Sequence, residues 1–326
     1  MLRLPPFRYL APRDLDEATH MLSGEGEAAM LVAGGTDLFP NMKRRQFTPQ
    51  VLIGLRGIKA LRHTGGSPEH GFHLGAGVTL TTIAEQPVLQ QHYSALATAA
   101  GSVSTPQLRN AGTIGGNLLL DTRCNYYNQT EFWRHSIGYC MKKDGDICLV
   151  APGSTRCWAI SSADTAPVLV CLGASVRLVS TRGERVIPVR ELFRDDGMDP
   201  YTKAADEILS EIILPPATGW QSIYLKLRRR GSFDFPILGV AVALHTDADG
   251  IVSDARITLG AVASHPVEAA DAAALLIGRR LTPELASTVA NVASRHAKPL
   301  DNADLTINYR KQVTPIYIRR ALDHFI

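Results

Sequence analysis

LVAGGTDL, residues 31–38, is the stretch on which the reading of this chain turns. An apolar strand expected over 29–33 breaks at Gly34-Gly35 and gives way to Thr36 and Asp37. Glycines let backbone N–H groups face an anion with no Cβ in the way, and a threonine hydroxyl adds a donor. A second stretch of the same kind, RNAGTIGGNL (109–118), sets Gly112, Thr113, Gly115, Gly116 and Asn117 beside an apolar run that ends at Leu120. Neither loop has Rossmann or Walker A spacing, and singly each reads as an ordinary turn. Together, each beside an apolar segment, they suit a two-ended grip on a dinucleotide pyrophosphate.

Working outward, the first third alternates helix and strand. A helix is expected over 15–22 with Asp14 as N-cap, strands over 51–55 and 72–79, and helices over 82–89 and 94–100. Apolar periodicity then fades from Thr122 to about Ile160, where Tyr126, Tyr127, Phe132, Trp133, Tyr139 and Trp158 crowd together. So long a stretch without periodicity inside a domain points to function. Regular patterning resumes at 166–173, with a strand over 175–180, and Pro215-Pro216 is a natural boundary. Strands over 240–245 and 251–259 flank a turn at Asp247–Gly250, and helices are expected over 267–276, 283–293 and 309–322.

The 326 residues suffice for two domains with full cores. A net charge of +3 argues against a dedicated nucleic-acid binder. Arg228–Arg230 reads as a solvated turn, or as a patch for the flavin or an acidic partner. No apolar run is long enough to span a bilayer. The N-terminal prolines and charges do not make a signal peptide, so a soluble, cytoplasmic chain with no membrane partner is expected. No His/Glu or Ser/His constellation at informative spacing marks a stand-alone oxidase.

The two glycine loops resemble the FAD-binding segments of the flavoprotein subunit of molybdenum hydroxylases, the family that includes the FAD domain of xanthine dehydrogenase. SADTAPVL (162–169), EILSEIILP (207–215) and KLRRRGSFDFPILGVAVAL (226–244) follow in the family's order, so the resemblance covers nearly the whole chain. It implies an α+β fold: a two-subdomain FAD-binding domain of the PCMH type over 1–218, then a smaller α/β C-terminal domain over 219–326. It implies that Leu31, Val32, Ala33, Gly34, Gly35, Thr36, Asp37 and Leu38 wrap the pyrophosphate and ribityl chain. Gly112, Thr113, Gly116 and Asn117 form the second phosphate-side loop. Asp164 binds the polar tail of the flavin, Leu209 and Lys226 lie against the isoalloxazine, and Val103 and Asp121 complete the cofactor contacts. From the residues alone, Lys226 also reads as a solvated surface lysine, and Asp164 as the N-cap of a helix.

Between Asp121 and Ser161 the sequence departs from the usual family pattern. An insertion over 122–160 carries Cys124, Cys140, Cys148 and Cys157. Four thiols in one loop of a reducing-compartment protein suggest a metal site rather than disulfides. A four-cysteine zinc site normally pairs its ligands in short C-x2–4-C knuckles, and none is present. Well-separated cysteines suit an iron–sulfur cluster, although the ferredoxin spacing is also absent. A 4Fe-4S cluster, zinc and free thiols therefore all stand as readings. Cys171, in an apolar run, reads as a buried hydrophobe. The insertion resembles that of 4-hydroxybenzoyl-CoA reductase-type flavoprotein subunits, in DTRCNYYNQTEFWR (121–134), GYC (138–140), KKDGDIC (142–148) and RCWA (156–159). That resemblance implies FAD and a 4Fe-4S cluster as cofactors. It implies a large molybdenum-cofactor subunit and a small 2Fe-2S subunit as partners in a dimer of heterotrimers. It further implies electron flow from ferredoxin through 4Fe-4S and FAD to 2Fe-2S and molybdenum. A flavin subunit of other substrate specificity and a zinc-stapled assembly protein are the alternatives.

Overall fold

Parallel strands need a crossover, and the first helix supplies one. In the computed structural model, which describes residues 2–326, β1 (Arg8–Leu10) leads into the helix Leu15–Glu25 and back to β2 (Ala29–Val32). The Asp14 carboxylate caps that helix by accepting from the Glu17 N–H at 2.9 Å. Both strands pair in parallel with β3 (Val51–Gly54), which is buried throughout because it lies between them.

A second sheet is antiparallel: β4 (Thr64–Ser67), β5 (Gly71–Gly75), β6 (Ser175–Ser180), β7 (Gly183–Pro188) and β8 (Ile208–Leu214), in the order β4-β5-β8-β6-β7. The central strand β8 reads ILSEIIL, and Glu211 is tolerated there because three neighbours satisfy it. His63 Nε2 lies 2.8 Å, His73 Nδ1 3.1 Å and Arg177 Nε 3.2 Å from its carboxylate. The helices Ser94–Ser102 and Thr165–Cys171 pack in the same core.

The C-terminal domain is built on β9 (Trp220–Leu227), β10 (Leu238–Thr246), β11 (Val252–Gly260) and β12 (Val267–Glu268), in the order β12-β11-β10-β9. Side chains alternate across a strand. Val240, Val242 and Leu244 of β10 enter the C-terminal core under the helices Pro283–Ser294 and Ile307–Asp323. Ala241 and Ala243, on the other face, enter the core of the FAD-side domain with Tyr224. Gly260 allows close approach there, since a Cβ would meet the Pro167 ring at 2.8 Å.

Several expectations change in detail. The helix expected over 82–89 is two, Leu80–Glu85 and Pro87–His92, because Pro87 drives Gln86 to an extended ψ of 116°. The strand expected over 72–79 stops at Gly75, where the backbone turns against Leu61. The helix expected over 267–276 is instead β12, held against β11, and a short helix Ala270–Ala274. The apolar run 166–173 is mostly helix, and Cys171 within it is buried, its thiol 3.4 Å from the Arg256 carbonyl. The insertion contains one short helix, Glu131–Ser136, capped by Thr130. No helix among the described residues is long and apolar enough to cross a membrane.

Candidate functional site

The two glycine loops meet. A Cβ on Gly34 would overlap the Ala111 carbonyl, so only glycine permits this crossing of backbones, and Gly35 sits at φ +69°. Asp37 starts the helix Leu38–Lys43, and its carboxylate accepts from Asn41 Nδ2 at 2.8 Å. In the second loop Thr113 caps the helix Ile114–Leu118, its hydroxyl accepting from the Gly116 N–H at 3.1 Å. Gly116 itself is exposed. Asn117 is committed to the fold: its Oδ1 accepts from the Thr165 N–H at 3.2 Å and the Thr165 hydroxyl at 2.7 Å. It thereby fixes the second loop to the SADTAPVL segment.

That segment delivers Asp164 to a buried ion pair. Lys226 Nζ donates to Asp164 Oδ2 at 2.9 Å, with the two side chains 4% and 3% exposed. Tyr224 donates its hydroxyl to Asp164 Oδ1 at 2.8 Å. Tyr224, Lys226 and Arg228 stand two residues apart on β9 and its continuation, hence on one face. Lys226 and Arg228 also donate to the Ser102 carbonyl, at 3.0 and 3.1 Å, and Arg109 donates to the Val103 carbonyl at 2.8 Å. Burial pushes the Asp164 carboxyl up and the Lys226 ammonium down, and each is opposed by the charge of the other. Lys226 is therefore not a solvated surface lysine. Asp164 stands at the head of its helix but makes no side-chain cap bond, so it is not a capping residue either. Leu209 lies on β8, buried in the core.

The insertion closes a second site. Cys124, Cys140, Cys148 and Cys157 are all buried, all free, and all line one chamber with Tyr126, Tyr127, Met141, Lys142, Leu149, Val150 and Ala159. These walls close tightly together, leaving a cavity of only about 10 Å³. A metal bonded to sulfur sits nearer than a water in contact with it, at about 2.3 Å, so the narrowness does not bar a ligated group. Among the described residues no three Cys, His, Asp or Glu side chains close around a single ion position. Burial pushes the Cys124 thiol up to about 12 and the Cys157 thiol up to about 11, the latter opposed in part by the charge of Lys142. Bound metal reverses that preference, because a coordinating thiol is deprotonated.

The two sites are bolted together by residues the sequence did not single out. Arg123, next to Cys124, lies 3.3 Å from Asp37 of the first glycine loop, and its guanidinium stacks over Phe235 at 3.9 Å. Gln46 donates to the Tyr127 carbonyl at 2.7 Å, and Arg134 donates to the Arg45 carbonyl at 3.1 Å. Asp121 accepts from Lys142 at 2.8 Å. On the far side the Asn302 side-chain amide donates to the Trp158 carbonyl at 2.6 Å, and its backbone carbonyl accepts from the Asn125 N–H at 3.0 Å.

Residues 5–217 match the family described as the FAD binding domain in molybdopterin dehydrogenase, and 222–325 match the CO dehydrogenase flavoprotein C-terminal domain. The chain belongs to the FAD-binding subunit family of the molybdenum hydroxylases. It is 29% identical to the nicotine 6-hydroxylase medium subunit of Paenarthrobacter nicotinovorans, with 98% of each chain covered. It is 32% identical to the aldehyde oxidoreductase FAD-binding subunit of Escherichia coli, covering 75% of this chain and 78% of that one. Among solved structures, carbon monoxide dehydrogenase from Hydrogenophaga pseudoflava superposes with a TM-score of 0.80 at 27% identity, covering 98% of this chain and 97% of that one. The expected two-domain FAD-binding fold is thus present.

The residues of this FAD-binding subunit fit the cofactor its family name implies. Asn41 Oδ1, beside the first loop, and Ser162 Oγ, in the Asp164 segment, are buried without a hydrogen-bond partner. Such atoms call for a polar group that the protein does not itself supply. The four buried thiols, with aromatic and aliphatic walls, are the donor type that an iron–sulfur cluster takes. Of the residues missed, Tyr224 stands two positions from Lys226 and Arg123 beside Cys124, but nothing in the sequence marked the partner of either. Lys142 carried no signal, because a lysine in a polar run reads as solvated.

Proposed function

We propose that this chain is the flavin- and 4Fe-4S-carrying subunit of a complex of the 4-hydroxybenzoyl-CoA reductase type. The observation that carries the reading is the chamber: four buried cysteines from one insertion, spread around a common space and tied to the first glycine loop. Thiols so spread suit a group of several metal atoms better than one zinc ion. The relatives named as medium subunits and chains support partners of the molybdenum hydroxylase pattern, a large molybdenum-cofactor subunit and a small 2Fe-2S subunit; a dimer of heterotrimers is the assembly proposed with them. FAD bound here exchanges electrons in pairs or singly and a 4Fe-4S cluster exchanges them singly, so the two together match a one-electron donor, ferredoxin, to a two-electron reductive dehydroxylation.

The protein's own residues do the holding. Residues 31–38 and the Gly112–Asn117 loop grip the pyrophosphate. Asp164, fixed by Lys226, lies toward the polar tail of the flavin, and Lys226 and Leu209 lie toward the isoalloxazine, with Val103 as a further neighbour. Tyr126, Tyr127, Leu149 and Val150 keep water from the four sulfurs.

In the purified complex, Cys140→Ser is expected to lose iron and sulfide while keeping FAD, and to lose flavin reduction by reduced ferredoxin. Retention of iron, flavin reduction and turnover of 4-hydroxybenzoyl-CoA by that variant would overturn the reading. The relatives are named for nicotine, nicotinate, aldehydes and carbon monoxide, so a hydroxylase of other substrate is the second reading. It is distinguished by oxidation of such a substrate without dehydroxylation of the thioester. A zinc-stapled assembly protein would hold zinc and no flavin.

A further inference from the structure

We infer that Lys142 sets the reduction potential of the group held in the four-cysteine chamber; this rests on the iron–sulfur reading above. Its side chain is 5% exposed and lines the same chamber as the four cysteines. All three protons of its ammonium are used: Nζ donates to Asp121 Oδ1 at 2.8 Å, to Thr122 Oγ1 at 2.6 Å and to the Gly197 carbonyl at 2.5 Å. The charge is therefore fixed in place. It also lies 4.7 Å over the ring of Tyr127, another wall of the chamber. Its counter-charge is Asp121, whose Oδ2 is buried without a hydrogen-bond partner of its own.

A lysine buried for packing alone costs desolvation that an apolar side chain avoids. A lysine buried beside a redox group acts on every electron that group accepts. One-electron reduction adds one negative charge to the chamber and breaks no bond. A fixed cation favours the reduced form, and a fixed carboxylate disfavours it. Potentials of iron–sulfur groups respond to such nearby charge and to solvent exposure. Burial leaves little screening by water or salt.

The test is a redox titration of the holo complex, followed by absorbance and electron paramagnetic resonance, with iron, sulfide and flavin measured on each sample. Lys142→Met is expected to shift the reduced-to-oxidised ratio about tenfold toward oxidised at a given potential, a midpoint about 59 mV lower for a one-electron couple. Asp121→Asn is expected to move the midpoint the opposite way, and the double variant to lie between. A merely structural role predicts no such opposition of sign. Midpoints unchanged within error in both single variants, or shifted in the same direction, overturn the inference while leaving the cluster in place. Wild-type protein with flavin but without iron and sulfide overturns the cluster reading and this inference with it. If Lys142→Met does not fold, Asp121→Asn alone decides: a midpoint that is unmoved or lower refutes the role of the pair.

Discussion

Lys226→Met should cost this protein about 3 kcal/mol of stability. An exposed ion pair contributes about 0–1 kcal/mol, but Lys226 and Asp164 are 4% and 3% exposed, so the buried regime applies. There, removing one partner costs about 3–5 kcal/mol because the other charge is left in a dry interior. Two features favour the lower end. Tyr224 still donates to Asp164 Oδ1, and Arg228 still donates to the Ser102 carbonyl that Lys226 gives up. About 3 kcal/mol is a change of over a hundredfold in the folded-to-unfolded ratio. The assay is urea unfolding of the flavin-free chain with the m-value monitored. Asp164→Asn in the Lys226→Met background should recover much of the loss, since it removes the stranded charge. The pH response gives a second signature. Without Lys226 the Asp164 carboxyl rises further above its unfolded value, so the folded state binds the extra proton, and the variant should gain stability as pH falls. A loss below about 1 kcal/mol with no pH signature would show that the pair behaves as a surface pair, and the reasoning would be refuted.

Other perturbations probe separate parts of the molecule. Gly34→Ala should abolish FAD retention, because its methyl overlaps the Ala111 carbonyl; full FAD content after gel filtration would contradict the close crossing of the loops. Burial raises the Glu211 carboxyl, but hydrogen bonds from His63, Arg177 and His73 outweigh it and hold the group below 4.5. The Ala60 carbonyl, and then Glu211, hold His63 above 6.5 despite its partial burial. The depressed carboxyl loses its contribution as pH falls and the raised imidazole loses its own as pH rises. The cluster should therefore stabilise most between about pH 4.5 and 6.5, and Glu211→Gln should flatten the profile of Tm against pH there. Arg310 is buried and donates to the Leu300, Ile237 and Ala261 carbonyls, with burial lowering its pKa to about 10. Arg310→Met should cost about 2–3 kcal/mol, read as a lowered Tm, because it strands those acceptors.

Much of the fold was legible because its signals are local. Asp14 caps the helix that follows it, Gly34-Gly35 ends β2, and the turn at Asp247–Gly250 joins β10 to β11. Apart from the helix over 82–89, broken by the local effect of Pro87, errors arose where a distant partner decides the conformation. Residues 267–268 are a strand because β11 pairs with them, not because of their own pattern. At the candidate site, residue types and order identified the glycine loops and the four cysteines. The charges that join them did not stand out. Arg123, Lys142 and Tyr224 gain their meaning from Asp37, Asp121 and Asp164, whose proximity only the folded chain reveals.

Strand β10 belongs to two cores at once, with valines and a leucine on one side and alanines on the other. The sheet is thus a party wall rather than the outer wall of a detachable annex. Cutting the chain ahead of β9 would strip the cover from the helices Ser94–Ser102 and Thr165–Cys171 and would remove Tyr224 and Lys226 from Asp164. The two family regions therefore form one inheritable unit: neither can be traded between relatives without recutting the alanine face on which the other rests.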